Sequence, residues 1–260
     1  GDLAGPGGAR ISAGAVTVRY AAQGEDVHWC DELLAEPPPG ATVIPIWVEV
    51  RAAKDQPPGW YVSRLAIKAN GRQFHVPVQV FVSAFTVCDA RDFRSLIYAC
   101  HSPDAVALQY KVKPWSDEHF AAMEPSLAAM GQLGNDIMLV PVVLESHLGH
   151  QTGLIRFVAK CGELEPDFSV LQRYMDAYLK HCTPPKAVVF YVWTGAGETE
   201  TANAYEGRRI PSRTVSKRGA LQVSVYHPAT GAYAPRDVPV ATDEGAERFY
   251  KPLLDGIHRI

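Results

Sequence analysis

Beyond Asp92 the apolar residues stop alternating with polar ones and begin to run unbroken. RSLIYAC (Arg94 to Cys100), DIMLVPVV (Asp136 to Val143) and KAVVFYVW (Lys186 to Trp193) are short segments with almost no polar interruption. Successive side chains of a strand point to opposite faces, so a strand with one wet face alternates and a strand without alternation must be covered on both. Parallel sheets sandwiched by helices are the usual way to cover both faces. Helix signals fall between the runs. Ser116 is an N-cap with Asp117 and Glu118 in the first turn, where the helix dipole favours negative charge. Trp115 before the cap and Phe120 after it fit a hydrophobic staple, and Phe120, Met123, Leu127 and Met130 supply a buried stripe that Pro125 should kink or delay. A second helix is expected from near Asp167, burying Phe168, Leu171, Tyr174, Met175 and Tyr178, with Pro184 and Pro185 as the stop signal beyond it. Strand, helix, strand, helix, strand is a right-handed parallel α/β pattern.

The first third reads differently. VTVRYAA (Val16 to Ala22) and TVIPIWVEV (Thr42 to Val50) are strands, and WYVSRLAIKANGRQFHVPVQVFV (Trp60 to Val82) is a hairpin. Asn70-Gly71 is its two-residue type I′ turn, because both residues tolerate positive φ. After the turn Phe74, Val76, Val78, Val80 and Val82 alternate with Gln73, His75, Pro77 and Gln79. The expected organisation is α+β and multidomain, with an antiparallel β-sandwich over 1–90 and a partial parallel (β/α) barrel over 91–260.

A closed barrel of this type needs eight parallel strands, typically in about 250 residues. About 170 remain after the sandwich, holding three clear strands and a fourth candidate, LQVSVYH (Leu221 to His227). Half a barrel would leave an open parallel edge and half its interior uncovered. The expectation is that this is the N-terminal part of a longer protein, or that a C-terminal barrel half on another chain or homo-oligomer contacts complete it. An open α/β domain is the alternative. Near the end, TDEGAERF (Thr242 to Phe249) carries adjacent carboxylates. Tyr250, Leu253, Leu254 and Ile257 recur with helical spacing, so Thr242 reads as an N-cap and Asp243 and Glu244 as the acidic first turn of a helix that Pro252 kinks.

Composition removes several function classes. A formal net charge of −3, with the most basic stretch an interrupted loop (Arg208 to Arg218), speaks against phosphate tracking and hence nucleic acid. No apolar run approaches the roughly 20 residues of a membrane helix. The chain starts at Gly1 rather than Met, which fits removal of a start or signal segment. The five cysteines, Cys30, Cys88, Cys100, Cys161 and Cys182, have no metal-type spacing and read as small core thiols, with one internal disulfide left open. No GxSxG elbow is present, and Gly195 to Gly197 lacks the spacing of a dinucleotide loop, so no cofactor is expected.

SPDAVALQYKVKPWSDEHF (Ser102 to Phe120), MGQLGNDIMLVPVV (Met130 to Val143) and DFSVLQRYMDAYLKHCTPPKAVVFYVW (Asp167 to Trp193) resemble bacterial secreted proteins related to glycoside hydrolase family 123. Those proteins join a β-sandwich to a (β/α)8 barrel, and PPGWYVSRLAIKANGRQFHVPVQVFV is similar to the sandwich. The resemblance spans roughly residues 40–260. It implies a retaining hydrolase of β-linked N-acetylgalactosamine whose substrate acetamido oxygen attacks the anomeric carbon, an exception to the two-carboxylate rule. An adjacent Asp-Glu pair serves such enzymes: the Asp orients the acetamido group and the Glu moves the proton. That pair lies downstream of a helix resembling ERFYKPLLDGIHRI (Glu247 to Ile260), whereas Asp243 and Glu244 precede it, so no catalytic residue is carried over.

Barrel function gathers on loops after the C-terminal strand ends. Here those loops carry Cys100, His101 and Ser102; then Glu145, His147, His150 and Gln151; then Trp193, Thr194 and a Gly-rich stretch from Gly195 to Gly207. A sugar site needs an aromatic platform and hydrogen-bonding groups, and His101, Glu145, Gln151, Tyr191 and Trp193 are the substrate-binding candidates. Related sequences often place an acidic residue where this one has Thr194. Glu145, His147 and His150 could hold a metal, but no regular element fixes their geometry, so solvated loop histidines are the reading and no metal is expected. Two functions fit these residues. One is the N-terminal portion of an exported, secreted or periplasmic glycoside hydrolase acting on amino-sugar glycans, with the acid/base residues outside this chain. The other is a non-catalytic carbohydrate-binding or assembly protein at the cell surface.

Overall fold

The structure, a computed structural model, describes residues 1–23, 30–144, 150–192 and 221–260, without the side chains of Cys30 and Asp31. It divides into two compact units, Gly1–Val87 and Cys88–Ile260.

The first unit holds seven strands: β1 (Leu3–Ala4), β2 (Arg10–Ile11), β3 (Val16–Gln23), β4 (Cys30–Leu34), β5 (Ile46–Val50), β6 (Gly59–Ala69) and β7 (Arg72–Val82). They form two antiparallel sheets, in the orders β2-β1-β6-β7 and β4-β3-β5. The expected turn joins β6 to β7, with Asn70 at φ 50° and Gly71 at φ 72°, the mirror-image geometry that matches strand twist. It sets the register from Ala69 opposite Arg72 to Gly59 opposite Val82. Leu3, Ile11 and Tyr61 are the buried centre, and Val16 and Val50 of one sheet join Val78, Val80 and Val82 of the other around them. The inward stripe of β7 is therefore covered over only part of its length: Phe74 and Val76 remain 51% and 43% exposed. Pro45 delays the strand expected from Thr42, so β5 starts at Ile46. The two-residue strands β1 and β2 are too short to leave a periodic signal.

The second unit contains α1 (Pro103–Tyr110), α2 (Asp117–Gln132), β8 (Ile137–Pro141), β9 (Arg156–Lys160), β10 (Glu163–Asp167), α3 (Ser169–Leu179), β11 (Ala187–Tyr191), β12 (Leu221–His227), β13 (Ala232–Val238) and α4 (Glu247–Ile257). Strands β8 and β11 pair in parallel from Ile137 opposite Ala187 to Pro141 opposite Tyr191. A second sheet runs β10-β9-β12-β13, with β12 parallel to β9 and antiparallel to β13. Side chains from both sheets and from α2, α3 and α4 share one core that includes Met123, Leu127, Val140, Phe157, Leu171, Tyr178, Val223 and Leu253.

Several expectations change at this level. Arg94 to Cys100 is not a strand. Its Ile97 and Ala99 amides donate to side chains, Asp136 Oδ2 at 3.1 Å and Asn135 Oδ1 at 2.7 Å, rather than to a backbone ladder. β12 joins a mixed sheet instead of extending the parallel one, so the four-strand parallel run reduces to the pair β8-β11 among the described residues. The hairpin β9–β10 is absent from the sequence expectation, because Cys161-Gly162 (φ 50° and 86°) takes the place of an Asn-Gly turn without its residue signal. Helix α2 starts after Ser116, whose hydroxyl accepts from His119 N at 3.2 Å, and Trp115 packs near Phe120 with ring centroids 6.3 Å apart. Pro125 lies inside it on the exposed side without ending it. Helix α4 starts at Glu247, later than expected: Gly245 is left-handed at φ 77°, and Asp243 Oδ2 accepts from Val240 N at 2.9 Å. Asp243 and Glu244 belong to that preceding turn. Leu254 is 45% exposed rather than part of the buried stripe. Of the cysteines, Cys182 is buried, whereas Cys88, Cys100 and Cys161 are exposed free thiols rather than core residues. No helix among the described residues is long and apolar enough to cross a membrane.

Candidate functional site

The C-terminal ends of β8 and β11 lie side by side. Past the ends of the ladder, Val142 N and Val143 N both donate to Tyr191 O at 3.1 Å, and Leu144 N donates to Gln222 O at 2.7 Å. The chain leaving β8 thus crosses from β11 to β12, where Val143 bridges Val223. From His150 onward the chain is held from two sides. Asp104, buried in the first turn of α1, accepts from Thr152 Oγ1 at 2.6 Å, from Thr152 N at 3.0 Å and from Gln151 N. Ser224 Oγ on β12 accepts from Gly153 N at 3.1 Å. Gly153 has no room for a side chain, since a Cβ would lie 2.9 Å from the carbonyl oxygens of Val142 and Ile155.

At the rim of this end, Tyr191 is half-buried and Gln151 is exposed. Tyr191 meets Tyr98, whose hydroxyl accepts from Cys100 Sγ at 2.9 Å. Burial, then the hydrogen bond with Cys100, pushes the Tyr98 phenol well above its ordinary range, so it is a neutral hydrogen-bonding group. Tyr98, Cys100 and Tyr191 therefore form a solvent-reached hydrogen-bonding cluster at the strand ends, with groups of the kind that meet a ligand's hydroxyls.

His101 turns the other way. It is 9% exposed, with Nδ1 2.9 Å from Tyr174 Oη and Nε2 2.9 Å from Ser126 Oγ. Ser126 already donates its proton to Met123 O at 2.8 Å, so it accepts from His101 Nε2–H, and Tyr174 donates to Nδ1. The ring is neutral and fully bonded; burial, with the neighbouring His119, lowers its pKa to about 4. His119 is held similarly: Trp115 N donates to its Nδ1 at 2.9 Å, so its Nε2–H serves Pro103 O at 2.8 Å. Burial lowers its pKa as well.

Of the five candidates, Tyr191 and Gln151 stand at the strand ends, and His101 packs among α1, α2 and α3. Glu145 and Trp193 lie outside the described residues, as do His147, Thr194, the Gly-rich stretch and the basic segment Arg208 to Arg218. His150 is buried, and among the described residues no group of three His, Cys, Asp or Glu side chains could hold a metal ion. Sequence reading missed Asp104, Thr152, Ser224 and Tyr98. Ser102-Pro103 is a legible helix start, an N-cap followed by Pro at N1, but nothing local marks Thr152, 48 positions away, as Asp104's partner.

A family model described as the catalytic domain of glycoside hydrolase 123 matches residues 101–244. Among solved structures, a family 123 glycoside hydrolase from Clostridium perfringens, described for glycolipid glycan hydrolysis, is similar with a TM-score of 0.67 and 12% identity. The likeness covers 99% of this chain and 45% of that one, so this chain spans less than half that length. At such identity the likeness concerns the fold. No curated protein matches.

Two outcomes are expected. Asp104→Asn keeps the shape but weakens three charge-assisted hydrogen bonds, costing about 1.5–3 kcal/mol in urea unfolding at neutral pH and speeding hydrogen exchange at Gln151 and Thr152. The depressed pKa of His101 means the unfolded chain takes up a proton first as pH falls. Its contribution is complete above about pH 6.5 and lost by about pH 4, a fall of about 3 kcal/mol. Unfolding measured across that window should show this slope, and His101→Gln should flatten it.

Proposed function

Because this chain belongs to glycoside hydrolase family 123, by a catalytic-domain match over more than half its length, we propose that it is the N-terminal portion of a hydrolase of amino-sugar-containing glycans whose acid/base residues lie outside it. The observation that carries the reading is that the matched region, 101–244, contains the parallel pair β8-β11 and the polar strand ends it presents. In this reading β8 and β11 are barrel strands, and Tyr98, Tyr191 and the segment held by Asp104 contact sugar hydroxyls. Among the described residues those ends carry no exposed carboxylate pair. Asp104 is buried and occupied, and Asp243 closes its own turn ahead of α4. The two carboxylates that orient an acetamido group and move a proton would then come from a further barrel portion, on the same chain or a separate one. The substrate's own acetamido oxygen would serve as nucleophile. Export from the cell goes with this proposal.

The test compares two proteins on an aryl β-N-acetylgalactosaminide. The 260-residue chain alone should release no aryl alcohol, and its longest natural form should release it. Turnover by the chain alone would place the acid/base pair within it, and no turnover by the longer form would end the reading.

A further inference from the structure

Among the aromatic side chains of the first unit that folding leaves largely in water are Trp60, Phe81 and Phe85, 61%, 56% and 72% exposed. Single exposed apolar residues are ordinary, but two large exposed aromatics in ring contact are not. Trp60 and Phe81 are directly opposite on β6 and β7, on the face turned away from Tyr61 and the core, with ring centroids 5.1 Å apart. They sit at the end of the hairpin remote from the Asn70-Gly71 turn. From that end the segments 52–58 and 82–87 continue and enclose a cleft of about 370 Å3 lined by Lys54, Asp55, Gln56, Ser83, Phe85 and Thr86, among others.

The polar groups in this cleft are available. Among the described residues, the side chains of Lys54, Asp55, Ser83 and Thr86 make no hydrogen bond or ion pair within the protein, whereas Gln56 is committed to Tyr61 Oη at 2.7 Å. Together they offer an ammonium donor, a carboxylate acceptor and two hydroxyls that do either. Their formal charges cancel. A cleft of a few hundred Å3 with a few polar groups is the size and make-up of a small-ligand site. Exposed aromatic faces beside mixed donors and acceptors complement a pyranose ring, which has an apolar C–H face and hydroxyls that both give and accept.

We propose that this end of the β6–β7 hairpin, built entirely from residues of the first unit, is a carbohydrate-binding site for a neutral oligosaccharide. Phe85 in the cleft, and the Trp60–Phe81 pair at the same end of the hairpin, stack on the sugar rings. Lys54, Asp55, Ser83 and Thr86 bind their hydroxyls. Such a site keeps a polymeric glycan attached whatever chemistry the second unit performs, so it does not depend on the proposed hydrolysis.

Affinity electrophoresis of the intact chain in native gels containing desialylated mucin tests it. Wild type should be retarded relative to a gel without glycan, Trp60→Ala and Phe85→Ala should each lower the apparent affinity at least tenfold, and Asp55→Asn should weaken it. Trp47→Ala, which removes an exposed Trp of the other sheet, should leave retardation unchanged. Absence of retardation in wild type overturns the proposal. So does retardation that survives both aromatic substitutions, which would assign glycan binding to another surface and leave the hydrolase reading standing. Circular dichroism of each variant separates lost binding from lost folding.

Discussion

The second unit hangs on one buried dipeptide, Asn135-Asp136, at the head of β8. Asn135 and Asp136 are 1% and 4% exposed, a setting in which every polar atom needs a partner. Asn135 accepts from Ala99 N and donates to Ile137 O and to Tyr178 Oη on α3, while Tyr178 returns its proton to the Asn135 carbonyl. Asp136 accepts from Ile97 N and pairs with Lys186 Nζ at 3.0 Å, and its backbone carbonyl accepts from Lys186 N at 2.7 Å. The Ile97 amide, then Lys186, hold its carboxyl below the usual carboxylate range. Two adjacent side chains thereby fix segment 97–99, the start of β11 and the last turn of α3 relative to β8.

That arrangement gives β8 two different ends. Its N-terminal end is closed by buried, saturated hydrogen bonds and serves stability. Its C-terminal end leaves Tyr98, Cys100, Tyr191 and Gln151 at or near the surface, while the buried Asp104 and Ser224 pin the returning chain. In closed (β/α)8 barrels the C-terminal strand ends carry function and the N-terminal ends stability, and the proposed site lies at the C-terminal end of β8. Segment 94–100 links them: its amides are spent at the closed end, and its last residues deliver Tyr98 and Cys100 to the open one.

Much of this is legible in the residues. The Asn70-Gly71 hairpin, the Ser116 cap with its Trp115–Phe120 staple, and the unbroken runs that form β8 and β11 come from local chemistry acting on neighbours in sequence. The errors share a cause as well. Arg94 to Cys100 has a strand's composition, but side chains from 36 and 39 positions away take the place of its ladder. The hairpin at Cys161-Gly162 and the turn of Asp243 and Glu244 depend on φ values that those residue types do not announce. His101 reads as a site residue because it comes directly after an apolar run; Tyr174 and Ser126, both distant in sequence, turn it inward. Chemistry type survives the step from sequence to structure, whereas the direction a polar side chain faces is set by partners the sequence cannot place.

Hydrogen exchange at the Ile97 and Ala99 amides tests the role of Asn135-Asp136 most directly. In the native protein both amides should exchange only with global unfolding, as slowly as those of β8. In Asn135→Ala, Ala99 should lose that protection before the β8-β11 ladder does. Fast exchange at both amides in the unaltered protein, or protection of Ala99 unchanged by the substitution, would contradict the account.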